Sequence, residues 1–496
     1  MSPQLLAALP FLVPAITALA VMLLIAARRN HQLTAAITIA GLLLALLAVI
    51  AVPTPAPVAL TAMFQVDAFT RVFLALILAA STAVALLSHG YLSQMDDGGP
   101  VEEYYLLLLL ATLGACALLA SMQFASFFLG LETLSIALIG LIAYPLKRAR
   151  AIEAGLKYLV LAGAASAFLL FGMALIYLAF GTMSFTALGQ IWMATPPAEN
   201  IYALAGFAML LTGIGFKLSL VPFHMWAPDI YEGAPAPIAG YIAVVSKVAV
   251  FALLLRYFVL IGGYRFLSLL WVLSLLSILS MLAGNLLALL QTNIKRIFAY
   301  SSIAHFGYVL VALLAGGSIA IQAASYYLAA YALTTIAAFG IVTLLSRPGI
   351  GHDADQLETY RGLMWSHPWL AGALTLLLLS LAGLPPTMGF VAEVYVVASG
   401  MEMRLLLPLA ALVTGSVIGL YYYLRIIAVL LSPAPNAATP AATPPRSGGA
   451  LVGILAVLLF LLGIYPAPLI TVIQHATAGL TRPPTILLAK NLTHTQ

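Results

Sequence analysis

This chain is a succession of predominantly apolar runs, each about 20 residues long or longer, the length an α-helix needs to cross a hydrocarbon core about 30 Å thick. Such runs fall near 5–27, 34–52, 68–90, 104–121, 124–144, 153–180, 201–231, 236–261, 266–290, 300–316, 320–346, 368–399, 404–431 and 450–473, and they are numbered here as segments 1 to 14. Exposed strands with open edges do not persist in lipid, and no alternating barrel pattern occurs. The expected fold is therefore an all-α membrane protein of about 14 transmembrane helices. Composition agrees, because 7% charged residues, against about 25% in soluble domains, is too few for a water-facing surface. The formal net charge of +5 does not indicate nucleic acid, since the basic residues form short clusters between apolar runs with no aromatic-interleaved stripe.

The single cysteine, Cys116, lies inside an apolar run, which excludes an intrachain disulfide and Cys-based zinc or iron–sulfur motifs. No basic residue precedes the first apolar stretch, and Arg28 and Arg29 follow it directly, so it reads as a retained spanning helix and not a signal peptide. Arg28, Arg29, Lys147, Arg148, Arg150, Lys295, Arg296, Arg347, Arg361 and Arg446 all fall on one side if the segments alternate, and that side is expected to be cytoplasmic. The opposite loops are expected to carry only Arg256, Arg265 and Arg404, with Arg482 and Lys490 in the tail. An even count then puts both termini outside. The Pro-, Ala- and Thr-rich stretch 432–449 reads as a flexible linker, and 181–200 as a connection with room for a short interfacial helix over 185–193.

Two segments are interrupted by proline, segment 7 at Pro222 and segment 12 at Pro385 and Pro386. Proline removes a helical donor and frees a carbonyl, and such breaks survive in a membrane where protein or water satisfies the freed groups. Two breaks five segments apart suggest two inverted five-helix repeats. The chain then divides into 1–100 (three N-terminal helices), 101–262 (first repeat), 263–431 (second repeat), 432–449 (linker) and 450–496 (last helix and tail).

An ionised side chain at the bilayer centre costs several kcal/mol, about 3 on insertion scales, so a charge there is a functional candidate. Four stand out. At about 1.5 Å rise per residue, Glu132 lies roughly 12 Å inside segment 5 and Lys247 roughly 15 Å inside segment 8, near the midplane. Lys217 precedes Pro222 by five residues, and Glu393 follows Pro386 by seven. A structural ion pair of Glu132 with Lys217 would leave Lys247 and Glu393 without partners. A proton-transfer line uses all four, because desolvation brings lysine within reach of cellular pH. His305, roughly 13 Å into segment 10, would bridge Lys247 to Glu393 or serve as a packed core histidine. His224 has a relay role or caps the broken helix, and Lys157 takes part or snorkels to the headgroups. Tyr421, Tyr422 and Tyr423 read first as packing, with a wet path as the alternative. The glycines at Gly213 and Gly215 lack the strand context of a dinucleotide fingerprint, and the histidines lack metal-ligand spacing.

At these residues the chain resembles subunit N of the bacterial NADH:quinone oxidoreductase, respiratory complex I, one of three antiporter-like subunits of its membrane arm. The matching stretches are FLGLETLS, FKLSLVPFHMWAPDIYEGAPAP, the SK of VVSKVAVF, QTNIKRIFAYSSIAHFGYVLVALL, SLAGLPP with GF, and IGLYYYLR, which run from Glu103 to Leu431. The resemblance implies fourteen helices, two inverted repeats, a Glu–Lys pair at Glu132 and Lys217, a central lysine at Lys247 and a histidine at His305. Many members of that family carry lysine in the second broken helix, where this chain has Glu393, as the neighbouring subunit M does. The resemblance further implies proton translocation in a bacterial inner membrane, coupled to electron transfer from NADH to quinone, with other membrane-arm subunits as partners. Any FMN, iron–sulfur clusters and bound quinone would belong to other subunits, with no cofactor in this chain. A subunit of a multisubunit sodium/proton antiporter, a freestanding secondary transporter and a purely structural membrane scaffold are the competing expectations.

Overall fold

The computed structural model describes residues 2–52, 56–95, 99–194, 200–348, 353–433 and 446–481. Most of the 432–449 linker, together with Arg482, Lys490 and the side chain of Arg446, lies outside them. Among the described residues 13 helices are long and apolar enough to cross a membrane. The fourteenth crossing is segment 12, built from Pro368–Leu381 and Met388–Glu402. Segment 7 is likewise two helices, Ile201–Leu218 and Trp226–Gly233. The connection after segment 6 holds the expected short helix, at Phe185–Ala194.

Two expectations are corrected, and one small element is added. The last apolar run is not one helix: it stops at Ile464, and after Tyr465 and Pro466 a second helix, Ala467–Thr481, packs back on segments 3 and 11. Proline explains the break, since it cannot continue the hydrogen-bond ladder of the preceding turn. A two-stranded antiparallel hairpin, Val58–Ala59 with Gln65–Val66, lies in the connection between segments 2 and 3. Arg256 is no loop residue. It lies buried in the helix Ala236–Leu260, donating to Asp67 Oδ1 at 2.7 Å, to Thr70 Oγ1 at 2.8 Å and to the Leu119 carbonyl at 3.1 Å. Hydropathy placed it near a boundary; its partners on segments 3 and 4 are what make its burial tolerable.

The bundle centre is formed by segments 8, 10 and 11, whose spanning windows are 83–100% buried, whereas segments 1, 2, 6, 9, 13 and 14 expose apolar faces. With little hydrophobic drive between helices in lipid, close backbone approach at small residues does much of the packing. Gly172 of segment 6 and Gly206 of segment 7 show it reciprocally: a Cβ on the first would stand 2.6 Å from the carbonyl of the second, and one on the second 2.8 Å from the carbonyl of the first. That contact brings the first half of segment 7, and with it Lys217, against segment 6.

Both broken helices end alike. Ser219 (φ 59°) and Gly383 (φ 67°) adopt the left-handed conformation, and the next amides, of Leu220 and Leu384, donate back to the carbonyls of Gly215 and Leu379 at 2.8 and 3.0 Å. A further carbonyl freed at the first break, that of Phe216, accepts from Trp226 Nε1 at 2.9 Å.

Candidate functional site

The first break holds Lys217 at the last turn of its helix, where free carbonyls favour a cation. The ammonium is 2% exposed and donates to Ser135 Oγ at 2.7 Å, with the rings of Tyr158 and Phe216 5.7 and 5.9 Å away. Ser135 is three residues past Glu132 on segment 5. Glu132 instead accepts from Ser166 Oγ of segment 6 at 2.5 Å, and among the described residues it makes no ion pair with Lys217. The expected Glu–Lys pair is thus bridged by one helical turn and a hydroxyl instead of closed by direct contact.

Lys247 begins a regular α-helical turn after a π-helical stretch, Ile242–Ser246, in segment 8. A π turn shifts the register of the residues after it, and here the Lys247 side chain is buried completely, donating to Ser302 Oγ at 2.8 Å. Tyr331 donates to the same oxygen at 2.8 Å. The Lys247 ammonium lies over the rings of Phe306 and Tyr231, 5.3 and 5.6 Å from their centroids, and the buried Tyr231 hydroxyl has no hydrogen-bond partner among the described residues.

One helical turn beyond Ser302, His305 meets Tyr327 OH through Nδ1 at 2.7 Å and Tyr423 OH through Nε2 at 3.2 Å, and Tyr423 OH lies 2.5 Å from Ser301 Oγ. A cavity of about 10 Å³, room for about one water-sized sphere, lies between His305, Tyr327, Tyr331 and Glu393. Glu393 accepts from Ser416 Oγ at 3.3 Å and overlies Gly383, where an added Cβ would collide with the carboxylate. Lys247, His305 and Glu393 are thereby strung along one interior line from segment 8 through segments 10 and 11 to segment 12.

The two carboxylates beyond the prolines mirror one another. Asp229 stands seven residues past Pro222, as Glu393 does past Pro386. Because the two broken helices run in opposite directions if the segments alternate, Asp229 comes to the basic face and Glu393 to the opposite half. Asp229 accepts from Arg296 at 2.8 Å and from Lys157 at 2.9 Å, and Lys157 also meets Glu153 at 2.8 Å. Lys157 is therefore engaged with carboxylates and does not simply snorkel to headgroups. His224 is buried beside the break, where the Trp226 indole donates to the Phe216 carbonyl.

Sequence reasoning missed the hydroxyls and one charge cluster. Tyr421 is exposed and not packed in the core, whereas Tyr423 touches His305 and Tyr422 donates to Asn285 Oδ1 at 3.0 Å, so the tyrosine run is split in role. At the basic face Asp353 accepts from Tyr91 at 2.6 Å, from Lys295 at 2.8 Å and from Arg148 at 3.2 Å. Burial would push the Asp353 carboxyl up, but the Lys295 ammonium, the Tyr91 hydroxyl and the Arg148 guanidinium hold it below the ordinary carboxylate range. Acidic residues in loops carried no signal in the sequence beyond their charge.

Known proteins resemble this chain in sequence and fold. Residues 121–419, more than half of the chain, match the family described as NADH:quinone oxidoreductase/Mrp antiporter, TM. The chain is 48% identical over 483 residues to NADH-quinone oxidoreductase subunit N of Ectopseudomonas mendocina, covering 95% of this chain and 96% of that one. It is 48% identical over 482 residues to the subunit N of Chromohalobacter salexigens, covering 96% and 100%. Among solved structures it is similar to a chain of respiratory complex I from Thermus thermophilus, with TM-score 0.79, 32% identity and 93% and 98% coverage. A chain of an archaeal membrane-bound sulfane sulfur reductase matches with TM-score 0.84, 26% identity and 97% and 98% coverage. A chain of the Mrp complex from Dietzia shares the fold, with TM-score 0.83, 23% identity and 99% coverage of each. With 48% identity over 95–96% of its length to two curated members, the chain belongs to the NADH-quinone oxidoreductase subunit N family, the antiporter-like membrane subunits of complex I.

Proposed function

We infer that protons cross this subunit along a relay that begins at Asp229 and the Glu132–Lys217 region, passes Lys247 and His305, and leaves by Glu393. As a member of the subunit N family the chain is a proton-translocating membrane subunit of an NADH:quinone oxidoreductase. The observation that carries the route is the spacing of the interior polar groups: Lys247, Ser302 and Tyr331 follow one another at hydrogen-bond distance, and Tyr331, His305 and Glu393 line one water-sized cavity, inside helices otherwise apolar.

Each member has a job its chemistry permits. A lysine held only by a hydroxyl can lose its proton without leaving a carboxylate unpaired, which a lysine in a tight ion pair cannot do. Glu132, one helical turn from the serine that holds Lys217, biases that ammonium through space; any change in the turn alters the bias. Tyrosine and serine hydroxyls both donate and accept, so they pass a proton on without carrying net charge. Lys157 adjusts Asp229 at the entry. His224, which touches none of these groups through its ring nitrogens, has no place in the route.

The division at residues 100, 262, 431 and 449, the bacterial inner membrane with both termini outward, and partnership with other membrane-arm subunits belong to the same reading. So does the assignment of FMN, iron–sulfur clusters and quinone to other subunits. Two experiments test it. The chain should copurify with flavin- and iron–sulfur-bearing subunits, whereas copurification with transporter subunits alone, and sodium efflux without NADH, would favour a sodium/proton antiporter. Glu393→Gln keeps size and hydrogen bonding but cannot titrate, so proton pumping in vesicles should fall sharply, and Glu393→Lys should retain more of it. A Gln variant that pumps normally removes Glu393 from the route.

A further inference from the structure

We propose that Asn285, on segment 9 and outside the line of charges, is a positioning residue that fixes the direction of the hydroxyl protons around His305. This rests on the relay through His305 and adds to it a residue that touches none of the charged groups.

Asn285 is 1% exposed and all of its amide is engaged. Its nitrogen donates to the Met281 carbonyl at 2.8 Å and to Tyr308 OH at 2.8 Å, and its oxygen accepts from Tyr422 OH at 3.0 Å. The orientation of the amide is not arbitrary. A backbone carbonyl only accepts, so the NH₂ end must face Met281, which leaves the oxygen toward Tyr422. This orients two neighbouring hydroxyls. The Tyr422 hydroxyl proton is committed to Asn285, and Tyr423, whose ring centroid lies 4.3 Å from that of Tyr422, is left to serve Ser301 and His305. The Tyr308 hydroxyl accepts from Asn285 and keeps its own proton free to point elsewhere. Its ring meets the His305 imidazole edge-on, with centroids 5.5 Å apart.

Segment 13 is shaped around this amide. A Cβ at Gly415 would stand 2.9 Å from Asn285 Nδ2 and 3.0 Å from Tyr308 OH, and one at Gly419 would stand 3.1 Å from Asn285 Oδ1. The two glycines, four apart, let segment 13 close on segment 9, and Ser416 between them is the residue that donates to Glu393. The amide thus sits where the Tyr422–Tyr423 pair and the Glu393 contact are both anchored. A leucine of similar volume would fill the space but leave Tyr308 and Tyr422 free to reorient.

The test uses the whole complex in membrane vesicles, reading assembly, coupled quinone reduction, protons moved per NADH, and the pH profile. Asn285→Leu should assemble and lose about five- to thirtyfold in coupled activity, the scale of one or two hydrogen bonds. Asn285→Asp keeps the acceptor for Tyr422 and donates to Tyr308 only when protonated, so its activity should recover toward acidic pH while the parent profile stays flatter. An assembled Leu variant with parental activity and pH profile overturns the proposal. So does an Asp variant whose profile parallels the parent, and this arm decides the matter if the Leu variant fails to assemble. His305→Phe is run alongside. Loss of pumping there with unaffected Asn285 variants removes the positioning role alone, and parental pumping there overturns the relay and the role of Asn285 with it.

Discussion

Lys217 and Glu132 face one another across segments 7 and 5 without touching: the ammonium is held by Ser135, one helical turn beyond Glu132, and the carboxylate by Ser166 of segment 6. A charge pair held apart in this way can be strengthened or weakened by a small movement, because the Coulomb energy in a poorly screened interior changes steeply over the first few ångströms. A closed ion pair would have been a stitch between helices; an open one is adjustable.

Removing Lys217 should therefore affect transport more than assembly. Lys217→Ala is expected to lower both proton pumping and coupled quinone reduction by about a hundredfold or more, the scale of a lost proton-transfer group. Lys217→Arg should substitute poorly, since guanidinium stays protonated. Membrane levels of the complex, measured with the two activities, check this: normal assembly with high activity in both variants would return the residue to a structural role.

Ser135 offers a finer probe. Ser135→Ala leaves the Lys217 ammonium without its acceptor, and a hydrogen bond to a charged group contributes about 1.5–3 kcal/mol. Coupled activity should fall, less than in Lys217→Ala, and Ser135→Thr should recover most of it. Equal activity of the Ala and Thr variants would show that the hydroxyl is a bystander.

The sequence made the charges legible and left the groups between them hidden. Apolar runs located the spans, Pro222 and the Pro385–Pro386 pair located the two breaks, and a lone lysine in an apolar run such as Lys247 announces itself because burial there is costly. Ser135, Ser166, Ser302 and Tyr423 do not, since serines and tyrosines occur on many helices and only packing reveals which hydroxyls meet a charge. Arg256 with Asp67 and Lys295 with Asp353 were opaque for the same reason, their partners lying far along the chain. The turn at Pro466 was missed because apolar residues continue on both sides of it.

Tyr423 and Tyr421 make a matched comparison. Tyr423→Phe removes the hydroxyl between His305 and Ser301 and should cut coupled activity about fivefold, in line with about 1 kcal/mol for one hydrogen bond, while Tyr421→Phe on the exposed face should leave it unchanged. A Tyr423→Phe complex with parental proton-to-NADH ratio would move the outward half of the route elsewhere.

The Asp353 cluster should govern stability and its dependence on pH. Because the folded carboxyl is held below its ordinary range, its contribution is fully present above about pH 4, the usual carboxylate value, and is lost as pH falls through the folded value. Asp353→Asn leaves Lys295 and Arg148 buried without their counter-charge, a change that costs about 3–5 kcal/mol at such sites. The thermal midpoint of the purified complex should drop, and Lys295→Met in the same chain should restore part of it. A midpoint unmoved by Asp353→Asn would mean that the loop is held by other contacts.

In the proposed relay Lys247 is the middle of the buried titratable line, with no carboxylate partner among the described residues and no exposed surface. Lys247→Met keeps the length and the apolar stem and removes the titratable end. The decisive measurement is the number of protons translocated per NADH oxidised by the assembled complex carrying Lys247→Met, in sealed vesicles with the parent complex alongside. The relay predicts a lower ratio, or a fall in oxidation so severe that both stop together. Full assembly with the parental rate and the parental ratio would contradict it.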